Sequence, residues 1–376
     1  MSGLRILADE NIPALPACFG GSGEIRTLPG RSIRQADLQD VDVLLVRSVT
    51  RVDGALLAGT PVRWVGTATI GTDHLDTHWL EQQGIAWASA PGCNAEAVAD
   101  YVLAVLALAA VERGQALTDG TVGIVGFGNV GSRVHRRLQA LGIETRVTDP
   151  PLAQDGVTGL VGLDEVLACD RIALHAPLVR GGGWPTEHLL DAGRIQALRP
   201  DQVLISAGRG AVVDNAALRE RLEAADGGPW TALDVWEGEP LVDPRLARMV
   251  RIATPHIAGY SLEGKLRGTV MLALALNRWL AVGSEPSLEA LVPEPATLDA
   301  LAATLEETLL ASYDPRRDTH QLRATLDCSR ADRASAFDRL RRDYPVRREL
   351  GFHHLPAGGD PVLNRQLEAA GFTLIY

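Results

Sequence analysis

The chain has 376 residues, 46% hydrophobic and 22% charged, with a formal net charge of −11. That length exceeds one ordinary core and predicts two or three domains of a soluble globular protein. The acidic balance excludes a broad electrostatic footprint for nucleic acid, so an anionic ligand must meet locally placed Arg or helix N-termini.

Met1 to Arg5 runs straight into a strand-like segment, and no signal peptide is expected. Strands are predicted at Arg5–Ala8, Glu24–Leu28, Val43–Val46, Trp64–Val65 and Ile85–Ala88, separated by helical pieces such as Asp76–Gln83. Such alternation implies a parallel sheet covered by helices. Pro91-Gly92-Cys93-Asn94 breaks the pattern, and Asn94 is placed to cap a long helix from Ala95 to about Arg113. Inside it, Ala97 to Val111 is about a turn short of a membrane span and carries Asp100, so it reads as a buried helix and no membrane is expected. Cys18, Cys93, Cys169 and Cys328 form no C-x-x-C pair. Reduced thiols in a cytoplasmic protein are expected, with no disulfide framework and no metal site.

A second alternating block predicts strands at Val122–Val125, Thr145–Thr148, Arg171–Leu174, Val203–Ser206, Thr231–Leu233 and Arg251–Ala253. This is the size of a full dinucleotide-binding sheet. An amphipathic helix follows from about Ser261 to Val282, and Gly283, Pro286, Pro293 and Pro295 mark a linker. Beyond it, ten Arg stand against five Asp between Arg316 and Arg348, a basic stretch in an acidic protein.

Gly126-Phe127-Gly128-Asn129-Val130-Gly131 has the spacing of a dinucleotide loop. A glycine pattern alone is weak, but this one follows the apolar run Thr121–Val125 and opens the helix-like stretch Val130–Leu141. Gly126 permits the tight turn, Gly128 the approach of a pyrophosphate, and Gly131 close helix–strand packing. Asp149 closes the next strand eighteen residues after Gly131. A carboxylate there accepts from ribose hydroxyls and repels a 2′-phosphate, so NAD is expected rather than NADP.

Three further strand ends carry reactive groups: Arg209 between Gly208 and Gly210, the carboxylates of Asp234, Glu237 and Glu239, and His256 after Thr254-Pro255. Alone, each is more often a surface charge or a satisfied core group. Together on C-terminal strand ends, the ligand side of an open α/β sheet, they fit hydride removal from a hydroxyl carbon. His256 would take the hydroxyl proton, a carboxylate beside it would orient the ring, and Arg209 would hold a substrate carboxylate.

The order of glycine loop, Arg-Gly-x-x-Val-Asp, Asp-Val-Trp-x-x-Glu-Pro and Pro-His-Ile-Ala-Gly resembles the D-isomer-specific 2-hydroxyacid dehydrogenase family. The resemblance implies catalytic roles for Arg209, Glu239 and His256, selecting Glu239 over Glu237, and an approach of Asp234 to the nicotinamide. It implies a flavodoxin-like substrate domain of residues 1–94 and 261–282, and a Rossmann NAD domain of residues 95–260. Two long helices would join them. Asp9-Glu10-Asn11-Ile12-Pro13, Val46-Arg47-Ser48-Val49-Thr50, Gly66 to His74 and His256 to Lys265 are similar to a branch of that family acting on a phosphorylated 2-hydroxy acid. This closer resemblance implies substrate contacts at Ser48, Thr69 and Tyr260, and NAD contacts at Asp149, Ala176, Ala207, Gly208, Arg209, Asp234 and Gly259, beside Gly126, Gly128, Asn129, Val130 and Gly131. Ala176 departs from the Thr expected there, which leaves its backbone for the role. The resemblance also implies a small α+β C-terminal dimerisation domain of residues 287–376, hence a homodimer. Arg47, Arg347 and Arg348 are the candidates for the substrate phosphate, against the alternative that the Arg347-Arg348 pair sits on a solvated face or in ion pairs within the chain. Two other readings stand beside this one: a dehydrogenase of the 3-phosphoglycerate or D-lactate type, and an NAD-sensing binding module. The glycine-rich stretch 180–185 fits no part of the pattern.

Overall fold

In the computed structural model, which describes residues 3–283, 285–298 and 304–376, the first ninety residues form a five-stranded parallel sheet. Its strands are β1 (Leu4–Asp9), β2 (Gly23–Leu28), β3 (Val43–Val46), β4 (Trp64–Thr67) and β5 (Ala86–Ala88), in the order β2-β1-β3-β4-β5. This is the flavodoxin-like order, with its reversal between β1 and β3. Every residue of β3 and β4 is buried, as a strand covered on both faces requires. The helix Leu262–Leu280, capped by the Ser261 hydroxyl accepting from Gly264 N–H at 2.9 Å, covers one face. Val270, Leu272, Ala273 and Leu276 pack there against Ile6, Ala8, Val43, Leu45 and Trp64. Residues 1–94 and 261–294 make one compact unit.

The second unit holds a six-stranded parallel sheet of β6 (Val122–Val125), β7 (Thr145–Thr148), β8 (Arg171–Leu174), β9 (Val203–Ser206), β10 (Trp230–Leu233) and β11 (Ile252–Ala253). The order is β11-β10-β9-β8-β6-β7, so among the described residues no strand lies outside β7. Where one would run, Val161 N–H reaches Val147 O at 2.8 Å. Strand order reverses between β6 and β8, and the glycine loop leaves β6 at that point.

The C-terminal segment adds a small parallel sheet, β12 (Ala296–Thr297), β13 (His353–Pro356) and β14 (Thr373–Ile375). Helices Leu305–Ser312, Pro315–Ala324 and Arg330–Arg342 lie between β12 and β13, and Pro361–Ala370 between β13 and β14. The sequence suggests a separate domain from residue 287. Instead, residues 295–376 form one compact unit with residues 95–260. The reason is the long helix Ala95–Arg113, buried on every side from Ala97 to Ala110. A helix apolar all round needs cover all round. It packs on the six-stranded sheet and, in the same core, on Leu305, Leu309, Leu350 and Leu355 of the C-terminal segment. Asp100 pairs with Arg137 and accepts Leu350 N–H at 3.0 Å, while Glu306 accepts Leu117 N–H at 2.6 Å. Asn94 does not cap this helix, since its Oδ1 is buried without a hydrogen bond.

The glycine-rich stretch 180–185 is an exposed loop closed at its base by Thr186, whose N–H donates to Val179 O and whose Oγ1 accepts Val179 N–H, both at 2.8 Å. All four cysteines are free, and no described helix is long and apolar enough to cross a membrane.

Candidate active site

The glycine loop is shaped by three different constraints. Gly126 has φ +93°, and a Cβ there would lie 2.8 Å from Ala176 N. A Cβ on Gly131 would lie 1.9 Å from Gly126 O, so the following helix can approach β6 only at glycine. At Gly128 a Cβ would meet nothing within 4 Å, which leaves the loop crest open. Gly128 and Asn129 are exposed, Val130 is half-buried, and no side chain caps the helix Asn129–Ala140. Its N–H groups and positive dipole end therefore remain for an anion, as a pyrophosphate requires. At the end of β7, Asp149 Oδ2 accepts Phe127 N–H at 2.8 Å and Oδ1 accepts Leu152 N–H at 3.2 Å.

Glycines also explain the setting of Arg209. A Cβ on Gly208 would lie 2.8 Å from Ala176 O, and one on Gly210 would lie 2.0 Å from the backbone of Trp236. The loops after β8, β9 and β10 thus approach backbone to backbone at these glycines. The half-buried Arg209 is held between them, with Nη1 donating to Gly208 O at 3.0 Å. Ala176 is 5% exposed, so its methyl group belongs to the packing and its backbone to this junction. The ring nitrogens of neighbouring His175 are buried without hydrogen bonds, and burial pushes its pKa down to about 4.

Glu239 and His256 meet. Glu239 Oε2 lies 2.7 Å from His256 Nδ1, and Glu239 Oε1 accepts Trp236 N–H at 2.8 Å. Burial pushes the Glu239 carboxyl up, yet the His256 charge and hydrogen bond, the Trp236 N–H and the positive charge of Arg341 hold it below the usual range. His256 meets Glu239 through Nδ1, and its backbone is left-handed at φ 57°, a sparsely populated conformation for a non-glycine residue. Glu237 faces elsewhere, with Oε1 2.7 Å from His188 Nε2 and Oε2 accepting Asn215 N–H.

Asp234, expected to approach the nicotinamide, is 1% exposed, and both its oxygens accept hydrogen bonds within the chain. Oδ1 accepts from the Thr254 hydroxyl at 2.6 Å and Ile257 N–H at 2.8 Å, and Oδ2 accepts Ala258 N–H at 2.9 Å. Its carbonyl accepts His256 N–H at 2.8 Å. The Tyr101 hydroxyl joins at Thr254 Oγ1, 2.9 Å away. This buried network sets the loop that carries His256. Ala207, Gly259 and Tyr260 remain partly exposed beside it.

In the other unit, Arg47 and Ser48 directly follow β3 and Thr69 follows β4, again at C-terminal strand ends. Ser48 is exposed. Thr69 Oγ1 lies 2.8 Å from Thr67 Oγ1, which lies 2.8 Å from His74 Nε2.

Arg347 does not fit the phosphate role. It is 8% exposed, bonded to the Ala258 and Ala97 carbonyls, and stacked 4.6 Å from the centre of the Tyr313 ring. It clamps the C-terminal segment to the long helix and the His256 loop. Arg348 stands 5.8 Å from the Phe352 ring centre. The arginine that does reach the catalytic loop, Arg341, went unnoticed in the sequence. Its signal was the i,i+4 spacing from Phe337, which turns both toward the cofactor unit.

A family model described as D-isomer specific 2-hydroxyacid dehydrogenase, NAD binding domain, matches residues 106–258, and a domain of unknown function matches residues 292–370. The chain is 52% identical to erythronate-4-phosphate dehydrogenase of Stutzerimonas stutzeri, over 99% of this chain and 100% of that one. It is 50% identical to the enzyme of the same name from Pseudomonas aeruginosa, with the same coverage. Among solved structures, NAD-bound 3-phosphoglycerate dehydrogenase of Entamoeba histolytica aligns with a TM-score of 0.64 at 21% identity, covering 75% of this chain and 97% of that one. D-lactate dehydrogenase of Aquifex aeolicus, complexed with NAD and lactic acid, aligns at 0.60 and 22% identity over 74% and 95%. The chain thus belongs to the erythronate-4-phosphate dehydrogenase family, within the D-isomer-specific 2-hydroxyacid dehydrogenases, and is an NAD-dependent enzyme.

Proposed function

We propose that this protein oxidises 4-phospho-D-erythronate at C2 to 3-hydroxy-2-oxo-4-phosphooxybutanoate, a step in pyridoxal 5′-phosphate (vitamin B6) biosynthesis. The observation that carries this reading is the Glu239–His256 pair, at 2.7 Å, on the same C-terminal sheet edge as an uncapped helix N-terminus and an open glycine crest. Bound at that crest, NAD supplies the acceptor for the hydride that leaves C2. His256 Nε2 takes the proton of the C2 hydroxyl, and Glu239 at Nδ1 holds the ring in the tautomer that can accept it. The resulting imidazolium is stabilised by the carboxylate. Arg209 offers a planar fork to the C1 carboxylate, which fixes C2 relative to His256. Ser48, Thr69 and Tyr260 complete the substrate contacts, with Arg47 a cation beside the first of them.

We place the enzyme in the cytoplasm, supported by four free cysteines, and assign it a homodimer through the C-terminal segment. Support for the dimer comes from exposed apolar side chains on that segment, among them Val346, Val362, Ile375 and Tyr376. Sedimentation at micromolar concentration tests it, and a monomer there would remove the assignment. For the reaction, NADH formation is followed with 4-phosphoerythronate, 3-phosphoglycerate and D-lactate. Catalytic turnover is expected to favour the first by kcat/KM. Equal or greater turnover of D-lactate or 3-phosphoglycerate would overturn the substrate assignment.

A further inference from the structure

Arg341 lies four residues after Phe337 on the helix Arg330–Arg342, and Phe337 is 1% exposed in a core with Leu246 and Leu322. Residues so spaced share a face. Arg339 is exposed and Arg342 pairs with Asp343 at 2.8 Å, whereas Arg341 is turned inward. Its guanidinium carbon stands 5.8 Å from the Tyr260 ring centre and 6.0 Å from that of Phe337, and it interacts electrostatically with the Tyr260 side chain. Its Nε is buried with no hydrogen-bond partner. Among the described residues no carboxylate forms an ion pair with it, and Glu239 and Asp338 act on it only at longer range. A half-buried guanidinium set against aromatic faces, with no carboxylate paired to it among the described residues, is short of a counter-ion. Such a charge is accounted for by an anion that arrives with the ligand.

The neighbours narrow that anion. Tyr260 follows His256 by four residues in one loop, and Glu239, whose carboxylate feels the charge of Arg341, holds His256. The cation thus belongs to the wall that carries the proton acceptor. Arg209, on a different strand end, already matches the carboxylate next to the reacting carbon. The remaining charge on the substrate is the phosphate ester two carbons away. We propose that Arg341, with the Tyr260 hydroxyl beside it, receives the substrate phosphate, so that the C-terminal segment completes the substrate site of its own chain. This rests on the reading above that the substrate is a phosphorylated 2-hydroxy acid. A guanidinium fork suits a phosphate because it can donate two parallel hydrogen bonds. The segment matched only as a domain of unknown function thereby gains a chemical task.

The test compares kcat/KM for 4-phosphoerythronate and for erythronate lacking the phosphate, in the wild type, Arg341→Met and Arg341→Lys. Retained NADH binding, read by fluorescence, reports that the cofactor unit is folded. In Arg341→Met the phosphorylated substrate is expected to lose about 10- to 100-fold, the span of a lost charge-assisted contact. Erythronate should change by less than about threefold, and Arg341→Lys should fall between. The collapse of the preference ratio is the signature, because a purely structural role would lower both substrates together. A parallel loss on both substrates, or an unchanged ratio in both variants, overturns the assignment. Should Arg341→Met fail to bind NADH, the ratio in Arg341→Lys decides by the same criterion. A wild type inert toward both substrates would instead overturn the proposed function, and this inference with it.

Discussion

Asp149 Oδ2 accepts the backbone N–H of Phe127 at 2.8 Å, so the residue that closes β7 also steadies the loop that leaves β6. To this task in the loop the proposed function adds a second, toward the adenosine ribose. Asp149→Ser combined with Pro150→Arg should lower the preference for NAD over NADP by about tenfold or more. It should also cost about 1 kcal/mol of stability through the lost Phe127 bond. Comparing kcat/KM for the two cofactors and the melting temperature separates these effects. Equal use of both cofactors by the unmodified enzyme would refute the ribose role.

The Glu239–His256 pair makes an acid-limb prediction. The Glu239 carboxyl is held below its ordinary value of 4.5, so its folded form binds its proton less readily than the unfolded chain. The stabilisation is therefore complete above the ordinary carboxylate range and is lost as pH falls through the depressed value. Glu239→Gln should flatten that part of the stability curve in denaturant titrations between pH 3 and 6, and shift the pH profile of kcat. His256→Gln should lower kcat by about 10²- to 10⁴-fold while leaving NADH affinity near that of the wild type. A His256→Gln enzyme with near-native turnover removes the proton-transfer role.

Arg209→Lys keeps the charge and loses the fork. A drop in kcat/KM equivalent to roughly 3 kcal/mol is expected, part of the 3–5 kcal/mol for a broken buried pair. Gly210→Ala tests the setting rather than the group, because its Cβ would lie 2.0 Å from the Trp236 backbone. Pushing those loops apart should cost about 1–3 kcal/mol of stability and displace Arg209 and Glu239 together. An active, normally stable Gly210→Ala enzyme would show that the two loops are not locked.

His188 gives the opposite pH sign. Its hydrogen bond with Glu237, and the further charges of Glu237 and Asp214, outweigh partial burial and raise its pKa above the model-peptide value of 6.5. The contribution is full below 6.5 and is lost as pH rises through the raised value. The side chain is 43% exposed, so screening keeps the effect within about 1 kcal/mol. His188→Gln should remove a shallow decline in stability between pH 6 and 8 without altering NADH affinity.

The strands were legible because each is a short apolar run between Gly, Asp or Pro, and several match to the residue, among them Val43–Val46 and Val203–Ser206. The Gly126 loop was legible for a similar reason, since backbone contact leaves no choice of residue at Gly126 and Gly131. The network around Asp234 was not legible, because a buried carboxylate accepting three hydrogen bonds looks in sequence like any carboxylate at a strand end. The different settings of Arg347 and Arg341 were hidden for the same physical reason. Both lie in one basic stretch, and only the fold decides which meets backbone carbonyls and which meets Tyr260. Nor could local pattern show that the long apolar helix is covered by residues two hundred positions away.

That covering helix bears on how the protein is made. The cofactor-binding unit is interrupted in sequence by residues 261–294, and its core closes only when Leu305, Leu309, Leu350 and Leu355 arrive. A ribosome adding about 5–20 residues per second leaves the exit-side chain waiting roughly 10–50 seconds with the helix uncovered. The nucleotide-binding half is thus among the last parts to mature, although its own strands are translated early. Chaperone occupancy during synthesis should accordingly peak after β11 has emerged and fall once the final helix and strand have been released.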